Sequence, residues 1–336
     1  MRTRALLLAS LLAPLSAGAC SREAKSEREH QRRCEQGEGE ACWELAQPAL
    51  AEGAQRDLQA AGTWLARGCD ARHGQSCARL GQLYLADEGL ARDLRRAEDA
   101  LRAGCELDAG VACAELASLV EARGEDEALA EALYTKACAL GEADACDEAA
   151  RPLRAASKHA QANDLERRAC AAGDADGCVA LAAAMLSGLG MPADQPGAAA
   201  LLARSCEADS ALACTRLAHL HLDGVGVGED LDQAAALAER GCELRDGEGC
   251  VLLGRLERDG ALPGDEAARL DRAREHFHRG CALDSARGCV DLGSLYRDGL
   301  GVEVDLDYAR RQFERACALG YALGCRVAEA AAGSTG

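Results

Sequence analysis

Ala316-Cys317-Ala318-Leu319-Gly320-Tyr321-Ala322-Leu323-Gly324-Cys325-Arg326 sets two cysteines eight positions apart. The same spacing recurs at Cys34/Cys42, Cys69/Cys77, Cys105/Cys113, Cys138/Cys146, Cys170/Cys178, Cys206/Cys214, Cys242/Cys250 and Cys281/Cys289, making nine pairs with Cys317/Cys325. From one pair to the next the interval drifts between 32 and 39 residues, while the interval inside a pair never changes. A constant geometric demand falls on residues bonded to each other, and a disulfide needs its α-carbons roughly 4.4–6.8 Å apart. Each cysteine is therefore assigned to the one eight positions away, although eighteen cysteines admit other connectivities. Closing each such loop is worth about 2.6 kcal/mol in the chain-entropy model, before strain. Structural zinc is the competing reading. It uses shorter spacings, with about two to four residues between cysteines, and no such pair occurs here.

Apolar residues make up 49% of the 336 residues but aromatic residues only 3%, so small aliphatic side chains must build a thin core. Thin cores favour covalent staples. Nineteen cysteines in a helix-rich chain imply an oxidising compartment. A net charge of −18 argues against nucleic-acid binding and against adsorption to anionic lipid.

Residues 1–19 have the layout of a secretory signal: Arg2 and Arg4, an apolar run from Ala5 to Leu15, then Ser16-Ala17-Gly18-Ala19. The run is too short to span a membrane. The nine pairs leave one cysteine over, Cys20, directly after this segment. Ala17-Gly18-Ala19-Cys20 resembles a bacterial lipobox, which implies acylation of Cys20 and a lipid-anchored N-terminus over residues 20–33. Ala17 stands where leucine is usual, and ordinary cleavage that leaves a free thiol is the alternative. Ser21 in place of aspartate favours the outer membrane, facing the periplasm, with secretion as the alternative.

Residues 34–328 read as repeats. Cys289-Val290-Asp291-Leu292-Gly293-Ser294-Leu295-Tyr296 spaces apolar residues three and four apart, which predicts a helix. Asp298-Gly299-Leu300-Gly301-Val302 breaks it, Asp305 caps the next, and Tyr308, Ala309, Phe313 and Ala316 carry that one to Cys317. Four residues after the second cysteine a small residue recurs, as at Ala46, Gly81, Ala182, Gly254 and Gly293. Two residues before the first cysteine a base recurs: Arg32, Arg67, Lys136, Arg168, Arg204, Arg240, Arg279 and Arg315. A cation there suits the negative end of its own helix. Each unit is thus two antiparallel helices with the disulfide across their turn, and stacked units share a core.

Leu-Gly-x-Leu-Tyr at 80–84 and 292–296, the Asp-Gly-x-Gly-Val loops at 223–227 and 298–302, and the Asp-(three residues)-Ala spacing at 93–97, 230–234 and 305–309 resemble the Sel-one-like repeat (SLR), a tetratricopeptide-like motif. A cysteine pair in every unit makes the chain most similar to the secreted, cysteine-rich members. The resemblance implies an all-α, α/α superhelical solenoid of about nine helix pairs with one disulfide each. It also implies a repeat scaffold that binds a protein or peptide on its concave face. Two alternatives are a penicillin-binding or β-lactamase-like hydrolase and a structural envelope scaffold. On the tetratricopeptide analogy, His276 and Phe277 lie on a concave-lining first helix.

Two stretches depart from the pattern. Pro48 and Pro152 are expected to interrupt their helices, and residues 147–169 lack the glycine loop. The end, 329–336, reads as a flexible tail. No catalytic, metal or cofactor site is assigned. Ser-x-x-Lys, Ser-Asp-Asn and Lys-Thr-Gly are absent, and the Gly-x-Gly turns at 188–190, 224–226 and 299–301 follow helices rather than strands. His219/His221 and His276/His278 are two apart, a spacing that points side chains in different directions on a helix.

Overall fold

The structure, a computed structural model, describes residues 17–51, 57–86, 90–124 and 126–333, with side chains from 25 to 329. The segment 1–16 and the side chain of Cys20 lie outside the described residues. Among those described there are 18 α-helices and no strand. In chain order these are α1 (Ala17–Glu35), α2 (Gly39–Leu50), α3 (Leu58–Asp70), α4 (Gly74–Ala86), α5 (Leu94–Glu106), α6 (Gly110–Arg123), α7 (Glu127–Ala139), α8 (Ala143–Ala155) and α9 (His159–Ala171). Then follow α10 (Ala175–Ser187), α11 (Gln195–Glu207), α12 (Ala211–Asp223), α13 (Leu231–Glu243), α14 (Gly247–Arg258), α15 (Glu266–Ala282), α16 (Ala286–Asp298), α17 (Leu306–Ala318) and α18 (Ala322–Gly333). The fold is an all-α solenoid of helix pairs. Two compact units divide it, Met1–Glu142 and Ala143–Gly336, each a stack of such pairs.

The turn inside each pair is the same object every time. The N–H four residues after the first cysteine donates to the carbonyl just before that cysteine, as in His73 to Gly68 (2.9 Å), Ser285 to Gly280 (3.0 Å) and Tyr321 to Ala316 (3.0 Å). This is the Schellman arrangement, which needs a left-handed residue. The third residue after the first cysteine supplies it in all nine units: Gly37, Gly141, Gly173 and Gly320, but also Arg72, Asp108, Asp209, Arg245 and Asp284. Only four of the nine are glycine, so composition alone hides the regularity. The turn leaves the two cysteine α-carbons 4.4–4.8 Å apart in eight pairs. Cys138 and Cys146 are disulfide-bonded as well.

The eighteen bridged cysteines pair as the spacing assigns them, and they differ in burial. Cys42, Cys77, Cys113, Cys214, Cys250 and Cys289, all second members of their pairs, have no exposed surface. Among the first members, Cys69, Cys170 and Cys317 are half-buried. The cause is position. The second cysteine lies in the first turn of the following helix, on the side packed into the core, and six of the nine first cysteines are buried as well. The bridges Cys34–Cys42, Cys105–Cys113, Cys206–Cys214 and Cys242–Cys250 thus have both cysteines buried, whereas Cys69–Cys77 has one. Cys42, Cys77, Cys113, Cys214 and Cys250 are core residues, out of reach of any ligand.

The helix that ends at each first cysteine starts on an aspartate. Asp57, Asp93, Asp126, Asp194, Asp230, Asp265 and Asp305 each accept from an N–H of the first turn. Helix α9 is the exception. It begins after Lys158, which makes no side-chain cap, and Ser157 takes the left-handed position there.

Consecutive pairs interlock through one knob and one notch. The small residue four after the second cysteine is the notch. Four residues before the next first cysteine stands the knob. A Cβ built on Gly81, Gly254 or Gly293 would lie 2.5–2.6 Å from Leu101, Phe277 or Phe313 respectively. Where the notch is alanine the knob varies: leucine for Ala46 with Leu65 and Ala182 with Leu202, tyrosine for Ala117 with Tyr134, and alanine for Ala218 with Ala238. Both phenylalanines of the chain are spent on glycine notches and are fully buried. Phe277 is therefore core, not a ligand contact, because the notch opposite it has no side chain to fill the space. At Ala150 the knob position holds Glu166, 2% exposed, whose carboxylate takes a hydrogen bond from Arg154 at 2.6 Å. An ion pair thus replaces the apolar knob in the irregular repeat.

Three further expectations are corrected. Helix α2 continues through Pro48 to Leu50, and α8 through Pro152 to Ala155. Each proline sits in the last turn, where few intrahelical bonds remain to be lost. Helix α18 runs to Gly333, through most of the segment read as a tail. The alanine-rich run from Ala328 has high helix propensity, which accounts for it.

Gly254→Ala is expected to lower stability by about 1–3 kcal/mol through overpacking against Phe277. Adding Phe277→Leu, which rebuilds the Ala46/Leu65 combination, is expected to recover most of the loss. Urea midpoints of the single and double variants check this; a double variant no better than Gly254→Ala refutes the knob-and-notch pairing.

Candidate functional site

The even-numbered helices carry the surface on which binding can be built. Within each unit α2 touches α4, α4 touches α6, and the same holds from α8 through to α18 in steps of two. Odd-numbered helices are held further apart. Contacts of that kind are substantial only between α3 and α5. The even helices therefore line the tighter side of each stack. This reverses the expectation that the first helix of each pair lines it. The regular unit opens at the helix after the disulfide turn, not before it.

A groove of about 810 Å³ lies on that side of the first unit. Trp43 from α2, Ala78, Arg79 and Gln82 from α4, and Val111 from α6 line it, with Leu140 at one end. Val111 and Leu140 are exposed apolar side chains. Arg79 donates to Gln82 at 3.0 Å, and Gln82 donates to Glu115 at 3.3 Å. The groove offers an aromatic wall, apolar points and a polar chain, a mixture suited to an extended peptide.

At its edge the fold assembles a serine, a histidine and a carboxylate. His73 Nδ1 lies 2.8 Å from Ser76 Oγ, and His73 Nε2 lies 2.9 Å from Glu40. The sequence reading missed this set because Glu40 belongs to the preceding repeat. The array caps α4 rather than performing chemistry. Ser76 has no exposed surface, its N–H also bonds His73 Nδ1 at 3.3 Å, and its hydroxyl packs against Gly68. A nucleophile must reach its substrate, and this one cannot.

Four of the recurrent bases serve the neighbouring repeat, whereas Arg32 pairs with Glu29 and Arg67 lies over Trp64, each within its own helix. Lys136 donates to the Cys105 carbonyl at 2.7 Å and lies 3.0 Å from Asp108. Arg240 bonds the Glu207 carbonyl and Asp209, Arg279 bonds the Cys242 carbonyl at 3.0 Å, and Arg315 bonds Asp284 at 3.2 Å. Each reaches back to the C-terminal end of the equivalent helix one repeat earlier, where carbonyls lack intrahelical donors. The expected dipole effect is real, but it acts between repeats. Arg204 breaks the series, with no hydrogen bond or ion pair among the described residues. The left-handed residue it should meet is Gly173, which has no carboxylate.

Arg204 stands on a second groove, of about 720 Å³, beside α9, α10 and α11. Leu181, Met185, Met191 and Leu201 line it. Its cause is another broken pairing. Seven residues after the second cysteine, a side chain normally meets the one nine before the next first cysteine. Tyr296 meets Tyr308 with ring centroids 4.3 Å apart, Glu257 holds Arg272 at 2.6 and 2.8 Å, and Arg96 lies over Tyr84 at 5.9 Å. Here Met185 packs its terminal methyl against Gly197, where an added Cβ would lie 2.7 Å from it.

His219 and His278 are exposed, while His221 and His276 are half-buried. Within each couple the two rings thus sit in different surroundings. No group of three or more His, Cys, Asp or Glu among the described residues is arranged to hold a metal. No described helix is long and apolar enough to cross a membrane.

The Sel1 repeat model matches residues 74–99, 111–142, 175–210, 211–246 and 286–321. No curated protein sequence matches the chain. Among solved structures, one of a protective antigen of uropathogenic Escherichia coli strains displaying an SLR fold superposes with a TM-score of 0.69 at 20% identity. That match covers 90% of this chain and 66% of the antigen, so the chain spans just under two thirds of that relative's length. A Sel1 repeat protein from Oxalobacter formigenes gives a TM-score of 0.65 at 19% identity, covering 90% of this chain and 89% of that one. At these identities the likeness is one of fold.

Burial pushes the His276 imidazole below its ordinary value of 6.5, and Glu257, Glu275 and Glu239 oppose this. The folded state then binds fewer protons than the unfolded chain, so His276 contributes stability above about pH 6.5 that is lost as pH falls through that value. His276→Gln is expected to lose less stability than the native chain between about pH 7.5 and pH 5.5. Urea midpoints at the two pH values check this, and equal losses would sink it.

Proposed function

This chain belongs to the Sel1 repeat family, and from that premise we propose that it is a protein- or peptide-binding scaffold that uses the even-helix face of its repeats. The observation that carries this reading is the groove at Trp43, Arg79, Gln82 and Val111 in the first unit. Helices α2, α4 and α6 come close enough there to form one continuous wall, and neither a metal nor a catalytic set is needed for it to act. A large aromatic beside exposed aliphatic side chains supplies the anchor of a typical binding surface. Arg79 and Gln82 supply direction and register. The ligand expected is an extended segment with an apolar anchor residue and an acidic neighbour for Arg79.

The disulfides point to an oxidising, extracytoplasmic compartment. We place the scaffold at the bacterial envelope on a lipid attached to Cys20. The support is the lipobox-like Ala17-Gly18-Ala19-Cys20 and the odd cysteine count, all eighteen others being disulfide-bonded. A hydrolase reading has no supporting geometry, because Ser76 is sealed inside the helix packing.

Selection of random peptides on the oxidised protein is expected to yield ligands whose affinity drops about tenfold or more in Trp43→Ala. Leu306→Ala, on an odd helix, should leave them unchanged. Ligands indifferent to both Trp43 and Arg79 would remove the groove from the function. Intact mass of membrane-extracted protein should show an acylated Cys20 as the first residue; a free thiol there would replace the anchor with secretion.

A further inference from the structure

We propose that the groove beside α9, α10 and α11 binds an unbranched aliphatic monocarboxylate, a fatty acid, with the carboxylate on Arg204 and the chain on Leu181, Met185, Met191 and Leu201. Charge is the first argument. The protein carries −18 overall, yet no aspartate or glutamate lines this groove, and two arginines do. Arg167 is engaged with Asp164 at 3.2 Å, and the Ser205 hydroxyl donates to the Leu201 carbonyl at 3.1 Å. Arg204 is the polar side chain of the lining left without a partner among the described residues.

Shape is the second argument. In five other units a leucine stands two residues after the first cysteine: Leu107, Leu140, Leu244, Leu283 and Leu319. Here it is Ala208, which lines the groove. With Gly197 opposite Met185 and Gly173 in the left-handed turn, three positions that carry longer side chains in several sister repeats are cut short together. Apart from Met1, the only methionines of the chain are Met185 and Met191, and both line this groove. Flexible thioether side chains adapt to an unbranched chain of variable path.

Hydrogen bonding decides between a fatty acid and a peptide. Along Leu181, Met185 and Leu201 the walls are helix interiors with paired backbone groups, so a peptide main chain buried there would leave its amides without partners, at a cost. A fatty acid asks for one charged contact and nothing else, which is what the groove has to offer. The site is independent of the peptide groove in the first unit, so either assignment can fail without the other.

Isothermal titration of the full oxidised chain with decanoate, 1-decanol and decyltrimethylammonium, all below their micelle concentrations or solubility limits, tests the assignment. One saturable site is expected for decanoate, with the alcohol and the cation weaker by about tenfold or more. Arg204→Gln should weaken decanoate about tenfold. Gly173→Asp should do the same by giving Arg204 the internal partner that Asp108 gives Lys136. Ala208→Leu, which restores the residue of the sister repeats, should abolish binding, and Arg240→Gln should leave it unchanged. Circular dichroism confirms that each variant folds; if Arg204→Gln does not, Gly173→Asp and Ala208→Leu carry the test. Absence of a saturable decanoate site, or equal affinity in these folded variants, overturns the proposal. So does a leucine-rich peptide with a free carboxylate that binds more tightly than decanoate and depends equally on Arg204.

Discussion

Every helix pair is held by the same covalent constraint: a sulfur bridge across a Schellman turn, with α-carbons 4.4–4.8 Å apart in eight of the pairs. The turn admits no insertion, because one residue more or less would rotate the second cysteine away from the first. The residue before the first cysteine is small in eight of the nine pairs, Arg33 being the exception. Gly68 already packs against Ser76, and Gly104 against Ala112, so a larger residue would drive the two helices apart. The loops between pairs bear no such constraint, and their lengths wander. A core with so few aromatic residues thus gains definition from the bridges rather than from bulk. Most of the bridges belong to that core, and cysteines such as Cys77 and Cys250 are fully enclosed.

Between pairs the chain uses a small set of matched positions and varies their chemistry. The notch is always glycine or alanine, and the knob ranges from alanine through leucine and an ion-paired glutamate to tyrosine and phenylalanine. A second pairing alternates stacked tyrosines, a bidentate arginine and a cation over a ring. A third, the backward-reaching base, satisfies carbonyls at the end of the previous repeat's helix. Each contact is modest, and their value lies in repetition along the array. Function is most legible where one of these pairings lapses. The lapse at Gly173 and Ala208 leaves an exposed guanidinium without a hydrogen-bond or ion-pair partner among the described residues, beside a groove.

The Ser76, His73 and Glu40 array carries the opposite lesson. Its distances resemble those of a hydrolytic relay, yet burial decides its role. With the hydroxyl sealed between helices, the same three groups become a cap and a tie between α2 and α4.

The fixed cysteine interval, the 3.6-residue apolar period and the capping aspartates were enough to define helix pairs, their bridges and their stacking, because all of these are local in sequence. Spacing also exposed Cys20 as the cysteine left over. What sequence could not supply is which helices come close on one side of a stack, and which side chains 31 to 37 residues apart meet. Nor could it tell the two sulfurs of a bridge apart: Cys42, Cys113 and Cys214 are enclosed only because the next helix packs over them. His276 and Phe277 were adjacent candidates on paper; packing buried one in a glycine notch and left the other half-open. Arg204 looked identical to seven other bases until the structure set it on the rim of a groove. Local order is written in periodicity, whereas a site depends on what the neighbouring repeat presents, and only the folded stack brings the two together.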